Sequence, residues 1–324
     1  MFHFEGVEKK LEISFNSLLN INLLKEKESF WIDELVPASK AKVLSSISNN
    51  FCKAYLLSES SLFVYKDKIV MITCGTTTLV KAASIMIDKY SLEAVDTFIY
   101  ERKHEHFPEY QYSNFYKDVQ ELKDFIKGKA YRLGPQDDHH VYLFQYDKKC
   151  ENIEKNDVTL ELLMHGLDKK TQDFFINNSD LSLSLIEEKT PLTSLFSDVV
   201  FDHYLFEPNG YSLNALTGKG YYTFHVTPED PVSYVSFETN IVMNYEQKVD
   251  LIAKLLSFFQ PKRHNIIEFA IELDRKLETP VREEYSLREK CWDVLSCGYQ
   301  VNFYNFSLSE KYIEQSKAEE LLIK

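Results

Sequence analysis

The run Tyr55-Leu-Leu-Ser-Glu-Ser-Ser-Leu-Phe-Val-Tyr-Lys-Asp-Lys-Ile-Val-Met-Ile-Thr-Cys-Gly-Thr-Thr77 holds three β-type apolar segments in close succession. Tyr55–Leu57, Leu62–Tyr65 and Lys68–Thr73 read as strands, and the short Lys66-Asp67 turn between two of them makes that pair antiparallel. Outward from this run the same pattern predicts strands at Val141–Tyr146, Gly220–Val226, Val232–Glu238, Ile266–Leu273 and Gln300–Phe306. Apolar residues recurring at three and four predict helices over Thr76–Lys89, Phe115–Ile126, Leu160–Phe175 and Glu246–Phe259. The fold class is therefore α+β, with helices covering layered, largely antiparallel sheets.

The chain has 324 residues, of which 44% are hydrophobic and 14% aromatic, which excludes an intrinsically disordered protein. Only nine Gly and nine Pro are spread along it, with no repeat or low-complexity linker to mark a boundary, so a single domain over 1–324 is expected. A net charge of −13 repels phosphate backbones and anionic membranes, which argues against nucleic acid and membrane as partners. The charged amino-terminal segment lacks a signal-peptide core, and the five cysteines form neither a disulfide framework nor a Cys-x-x-Cys pair. A soluble cytoplasmic protein with reduced thiols is expected.

Three segments stand out chemically, and each also has an ordinary structural reading. Leu-Ser-Glu-Ser-Ser (57–61) interrupts a β pattern, as a polar turn would. Thr-Cys-Gly-Thr-Thr (73–77) leads through Gly75 into a predicted helix, where threonines serve as caps. Phe206–Glu229 contains Phe-Glu-Pro-Asn-Gly-Tyr-Ser and His-Val-Thr-Pro-Glu, and a single histidine in a strand is commonly structural. His104-Glu105-His106 and Asp137-Asp138-His139-His140 match no standard helical metal motif, so loop polarity accounts for them and no metal is expected.

Together with Phe-Glu-Gly-Val-Glu-Lys (4–9), Asp-Val-Thr-Leu-Glu (157–161) and Tyr-Val-Ser-Phe-Glu-Thr-Asn (234–240), these blocks resemble, in order, the eukaryotic S-adenosylmethionine decarboxylases of polyamine biosynthesis. Decarboxylation of an α-amino acid needs an electron sink that no standard side chain supplies. The resemblance implies a pyruvoyl group generated from Ser60, with no metal and no PLP. The Ser60 hydroxyl attacks the Glu59 carbonyl, the ester so formed is eliminated, and the chain divides into a β chain, 1–59, and an α chain, 60–324. The pyruvoyl then forms a Schiff base with the substrate amine. By the same resemblance His225 removes the Ser60 α-proton, Ser212 supports processing, and Cys74 protonates the carbanion. Glu5 and Glu8 line the site, Phe4 and Phe206 sandwich the adenine, and Glu229 binds the ribose. Glu12, Asp157, Glu161 and Glu238 match positions that hold putrescine in animal members, which makes putrescine an expected activator. The implied fold is a four-layer αββα sandwich of two antiparallel sheets with helices on the outer faces. A homodimer of αβ protomers is one assembly the resemblance allows.

The spacing between the 212 and 225 blocks is one residue shorter than in animal members, and Asn209 stands where those carry Cys. Two other functions compete. A catalytically dead regulatory paralogue would be expected to lack the processing serine, and Glu59, Ser60, Cys74, Ser212 and His225 are all present. A thiol hydrolase built on Cys74 and His225 leaves the 57–61 block without a purpose.

Overall fold

The structure is a computed structural model that describes residues 6–150, 154–176, 181–229, 231–273 and 275–309. The first half supplies β1 (Lys9–Phe15), β2 (Val43–Ser48), β3 (Cys52–Leu57), β4 (Ser60–Tyr65), β5 (Lys68–Thr73), β6 (Val95–Lys103), β7 (Gly128–Leu133) and β8 (Val141–Tyr146). The second supplies β9 (Thr159–His165), β10 (Val200–Leu205), β11 (Tyr211–Thr217), β12 (Gly220–Thr227), β13 (Tyr234–Thr239), β14 (Arg263–Ala270), β15 (Tyr285–Val294) and β16 (Gln300–Leu308). Each half forms one antiparallel sheet, in the order β2-β3-β4-β5-β1-β6-β8-β7 and β10-β11-β12-β13-β9-β14-β16-β15. The α-helices are α1 (Val36–Ala38), α2 (Val80–Tyr90), α3 (Phe115–Lys123), α4 (Lys169–Phe175), α5 (Leu183–Lys189) and α6 (Tyr245–Phe259).

Alternation along each strand divides the core into layers. On the outer face of the first sheet, Leu11, Ile13, Leu62, Val64 and Met71 pack with Val80, Ala83 and Met86 of α2 and Val119 and Leu122 of α3. On the outer face of the second, Leu162, Met164, Leu213 and Phe224 pack with Leu251, Ile252, Leu255 and Phe259 of α6. The inner faces meet each other, through Ile99, Leu143, Leu163, Ile267 and Phe303 at one side and Phe63, Ile72, Leu216 and Tyr221 at the other. The result is the four-layer αββα sandwich. Between those apolar patches runs a strip of buried polar side chains, which carries the site.

The longest helix starts where its sequence dictates: the Asn244 side chain accepts from Gln247 N–H, and the Gln247 side chain accepts from Asn244 N–H. Two predicted helices differ. Leu160–Phe175 is not one helix; it is the central strand β9 followed by the short α4. All of β9 is buried, so its two apolar faces read as a continuous run that periodicity alone does not separate from helix. The helix predicted from Thr76 begins at Val80, because Thr77 Oγ1 is hydrogen-bonded to Thr73 Oγ1 and Cys74 O and Thr78 N–H donates to Ser39 O. All five cysteines are free. Among the described residues no helix is long and apolar enough to cross a membrane.

Candidate active site

Ser60 is the first residue of β4, directly after the two-residue Ser58-Glu59 turn, and its neighbours Leu57 and Thr73 hold it in the sheet. Strict alternation would turn its side chain to the helix layer with Leu62 and Val64. Its φ of 131° breaks the alternation. That region is close to glycine-only, and a serine held there stores on the order of 1–3 kcal/mol. The hydroxyl instead points across to the second sheet, where it lies 3.0 Å from Nδ1 of His225.

His225 sits on the inner face of β12 and is 4% exposed. Burial pushes its imidazole down to about 3, so the ring is neutral near pH 7. Its neighbours determine which nitrogen carries the proton. Asn214 Oδ1 accepts from both Ser61 Oγ (2.6 Å) and Thr223 Oγ1 (3.0 Å), and Asn214 Nδ2 donates to Tyr55 O. Each hydroxyl has one proton, already given to Asn214, so both can only accept from the Nε2 they face, Thr223 at 3.0 Å and Ser61 at 3.4 Å. Nε2 is therefore the protonated nitrogen, and Nδ1 offers its lone pair to Ser60 and to Ser212 Oγ at 3.3 Å. Asn214 is two residues past Ser212, and Thr223 two before His225, so strand alternation brings all four to one face.

The Glu59 carbonyl oxygen accepts from Cys74 N–H at 2.9 Å and from Cys74 Sγ at 3.5 Å. Burial, with the nearby Glu59 and Glu8 carboxyls, holds the Cys74 thiol well above its ordinary range and so protonated. Glu59 is raised to about 7 and Glu8 to about 8, both chiefly by burial. Glu8 accepts from Ser236 Oγ at 2.5 Å, and its carboxyl is 4.0 Å from His225 Nε2. At the rim Glu229 accepts from Asn209 Nδ2 at 3.1 Å, while Phe206 packs edge-on against Tyr204 at 4.9 Å. Phe4 and Glu5 lie outside the described residues.

The four acidic residues expected to hold a dication do face the inter-sheet space, but lysines meet them there. Lys10 Nζ lies 2.9 Å from Glu161, 3.0 Å from Glu238 and 3.6 Å from Glu101. Lys103 is 2.8 Å from Glu161, and Lys68 is 2.8 Å from Asp157 and 3.5 Å from Glu12. Burial alone would raise Glu161, yet Lys10 and Lys103 outweigh it and bring it to about 2. Sequence reading passed over these lysines because a buried lysine has no pattern of its own. The one available signal was Glu8-x-Lys10-x-Glu12, charges at spacing two on a predicted inward strand face. An open cleft of about 750 Å³ reaches Asp157, Lys68 and Tyr299 from the far end of these strands, away from Ser60.

Residues 1–307 match the family model described as adenosylmethionine decarboxylase. The chain belongs to the adenosylmethionine decarboxylase family. It is 31% identical to the S-adenosylmethionine decarboxylase proenzyme of Trypanosoma cruzi over 98% of this chain and 92% of that one. It is 32% identical to the proenzyme of Drosophila melanogaster over 95% and 96% of the two chains. The crystal structure of the Trypanosoma brucei AdoMetDC-delta26 monomer superposes with a TM-score of 0.59 at 26% identity, covering 76% of this chain and 99% of that one. The adenosylmethionine decarboxylase resemblance read from six sequence blocks is thus matched by family, relatives and fold.

Proposed function

We propose that the chain is a proenzyme that cleaves itself at Glu59–Ser60 and then decarboxylates S-adenosylmethionine. The observation that carries this reading is the Ser60 hydroxyl 3.0 Å from the unprotonated Nδ1 of a neutral, buried histidine, on a backbone with φ 131°.

In processing, the Ser60 Oγ proton passes to His225 Nδ1 as Oγ bonds to the Glu59 carbonyl carbon. The negative charge that develops on Glu59 O is held by Cys74 N–H, already 2.9 Å away. The C–N bond breaks, the amine leaves with the proton, and an ester replaces the peptide. His225, again neutral, takes the Ser60 α-proton; the electron pair expels the Glu59 carboxylate and leaves a dehydroalanine amine, which water hydrolyses to a ketone and ammonia. The residues present fit such a pyruvoyl group, which when formed supplies a carbonyl that condenses with the substrate amine and accepts the electrons released with carbon dioxide. The Cys74 thiol, protonated at neutral pH by burial, holds a proton beside position 60 for delivery to the product carbon. Phe206 offers an aromatic face to the adenine and Glu229 a carboxylate to the ribose hydroxyls.

Three ammoniums, those of the buried Lys10 and Lys103 and the partly buried Lys68, already offset much of the charge of the five carboxylates they meet, so we infer that no external dication is needed: these lysines occupy that electrostatic role from within the chain. In place of the expected activation, putrescine should change the rate less than two-fold. One experiment tests both points. Purified protein is run on a denaturing gel with intact mass, and carboxyl-labelled adenosylmethionine is assayed for carbon dioxide with and without putrescine. Two fragments and diamine-independent release are expected, and Ser60→Ala should abolish both cleavage and turnover. Turnover by an uncut chain would overturn the mechanism. The regulatory-paralogue reading predicts no release by the pure chain.

A further inference from the structure

Five of the nine histidines gather at one end of the sandwich, in the two segments set aside above as polar loops and at the end of β9. His106 follows β6 and His139 precedes β8, both in the first sheet, whereas His165 is the last residue of β9 in the second. One ring nitrogen from each of these three can be chosen so that all lie within 4.8 Å of one another. His165 is 6% exposed, and neither of its ring nitrogens makes a hydrogen bond; His139 Nδ1 is likewise without one. A buried imidazole with both nitrogens unpaired is costly unless something binds it.

We propose that His106, His139 and His165 form a binding site for a Zn²⁺-class divalent ion that braces the two sheets. Three neutral nitrogens plus one water are a donor set that borderline metals prefer, and imidazole suits Zn²⁺, Co²⁺ and Ni²⁺ far better than Mg²⁺ or Ca²⁺. Tetrahedral Zn–N bonds of ~2.0–2.1 Å place ligand nitrogens ~3.3 Å apart, so closure needs movements on the order of 1 Å from the present spacing. His139 must also turn out of its stack on His165, whose ring centroid is 3.8 Å away. Burial and mutual proximity push all three imidazoles down, His106 and His139 to about 4, which leaves their lone pairs free at neutral pH.

The surroundings separate these three from their neighbours. His104 and His140 are committed through Nδ1 to the Asp138 carbonyl, at 3.0 and 2.8 Å. The Asp138 carboxylate is taken by Arg263 at 2.6 Å and by the His139 N–H at 2.8 Å. Arg263 adds a nearby positive charge that the Asp138 carboxylate offsets, and the Asn265 side chain lies near His165, although the Asn265 Nδ2 and both ring nitrogens lack a hydrogen bond. The site is two strands from His225, since His165 pairs with Tyr234 and Tyr234 pairs with Thr227. It does not overlap the decarboxylation machinery.

The test uses tag-free full-length protein stripped with a chelator and titrated with Co²⁺, then with Zn²⁺. One equivalent of Co²⁺ should give the intense visible bands of a tetrahedral nitrogen site, Zn²⁺ should displace it, and Zn²⁺ should raise Tm. His106→Ala and His139→Ala should each weaken Co²⁺ binding at least about ten-fold, while His104→Ala leaves it unchanged. Circular dichroism confirms folding of each variant, and the parent titration stands whatever they do. Absence of tetrahedral bands in the parent, or bands that survive His106→Ala with His139→Ala, would overturn the proposal. Decarboxylase activity enters none of these readouts, so failure here and failure of the processing mechanism are distinguishable.

Discussion

The two halves of the molecule follow one plan: adding eight to each strand number of the first sheet gives the strand order of the second. Corresponding hairpins make the contrast sharp. β3 and β4 close on Leu57 and Ser60 around Ser58-Glu59, and β11 and β12 close on Thr217 and Gly220 around Gly218-Lys219. In the second half the left-handed residue is Gly218, at φ 54°, with no atom near where a Cβ would stand. The first half places its positive φ, 131°, on Ser60. One hairpin is relaxed by glycine; the other retains a side chain where glycine would be easier, at the bond proposed to break. Charge divides in the same way. Lys10 on β1 meets Glu161 on the corresponding β9 and Glu238 on β13, and Lys68 on β5 meets Asp157, just before β9. The first half brings the ammoniums that the second half's carboxylates require.

The largest expected effect breaks that charge pairing. In a Ser60→Ala background, which keeps the chain whole, Lys10→Met should cost about 3–5 kcal/mol in denaturant unfolding, because Glu238 is left buried without its ammonium and Glu161 keeps only Lys103. A loss below about 1 kcal/mol would show that the pair is dispensable. The hairpin contrast predicts opposite signs. Ser60→Gly should be more stable than Ser60→Ala by about 1–3 kcal/mol, since both lack the hydroxyl and only glycine relaxes φ. Gly218→Ala should lose about 1–2 kcal/mol for the reverse reason. Asn214→Leu releases the Thr223 and Ser61 protons from their acceptor and lets the His225 tautomers mix; processing followed by gel should slow at least about ten-fold, with Tm little changed.

The smallest effect per unit change is with pH, read as Tm of the Ser60→Ala chain. Burial holds His225 and His264 near 3 in the fold, whereas in the unfolded chain they bind protons below about 6.5, so each loses up to ~1.4 kcal/mol per pH unit as pH falls through that window. Glu8 and Glu101, raised chiefly by burial to about 8 and about 7, act oppositely: they keep protons that the unfolded chain releases above about 4.5. Between about 4.5 and 6.5 these four offset each other, but Glu59, raised to about 7, adds to the carboxyls while His106 and His139, held at about 4, and the lowered His165 add to the histidines, so stability should fall as pH drops below 6.5 and decline again above it. A Tm that climbs steadily from pH 6.5 to 8 would contradict the assignment of Glu8.

How much the sequence disclosed follows from what each feature needs. Lys68–Thr73 and Val141–Tyr146 have the bounds read from the sequence, because turns flank these short runs of β-branched and aromatic residues. β9 was hidden by burial on both faces, and β1 by the charges at Glu8, Lys10 and Glu12 that mark it as inward-facing. Among the assigned site residues described, Ser60, Ser212 and His225 converge, with Cys74 on the Glu59 carbonyl and Glu8 near the ring. Asn214 and Thr223 went unread because an amide and a hydroxyl in a strand are unremarkable until their partners across the sheet are known. The same holds for the three lysines and for His106, His139 and His165, whose proximity joins segments far apart along the chain.

The place of β1 has a last consequence. Residues 1–59 contribute β2 and β3 at an edge, but β1 is threaded between β5 and β6 in the middle of the first sheet. Scission before position 60 would therefore leave a small peptide clamped on either side by the larger one, inseparable without dismantling the whole sheet. Such a molecule is assembled only once: after full denaturation the pieces have lost the tether that guided that insertion, so regain of activity should fall steeply on dilution, whereas the uncut precursor refolds by itself.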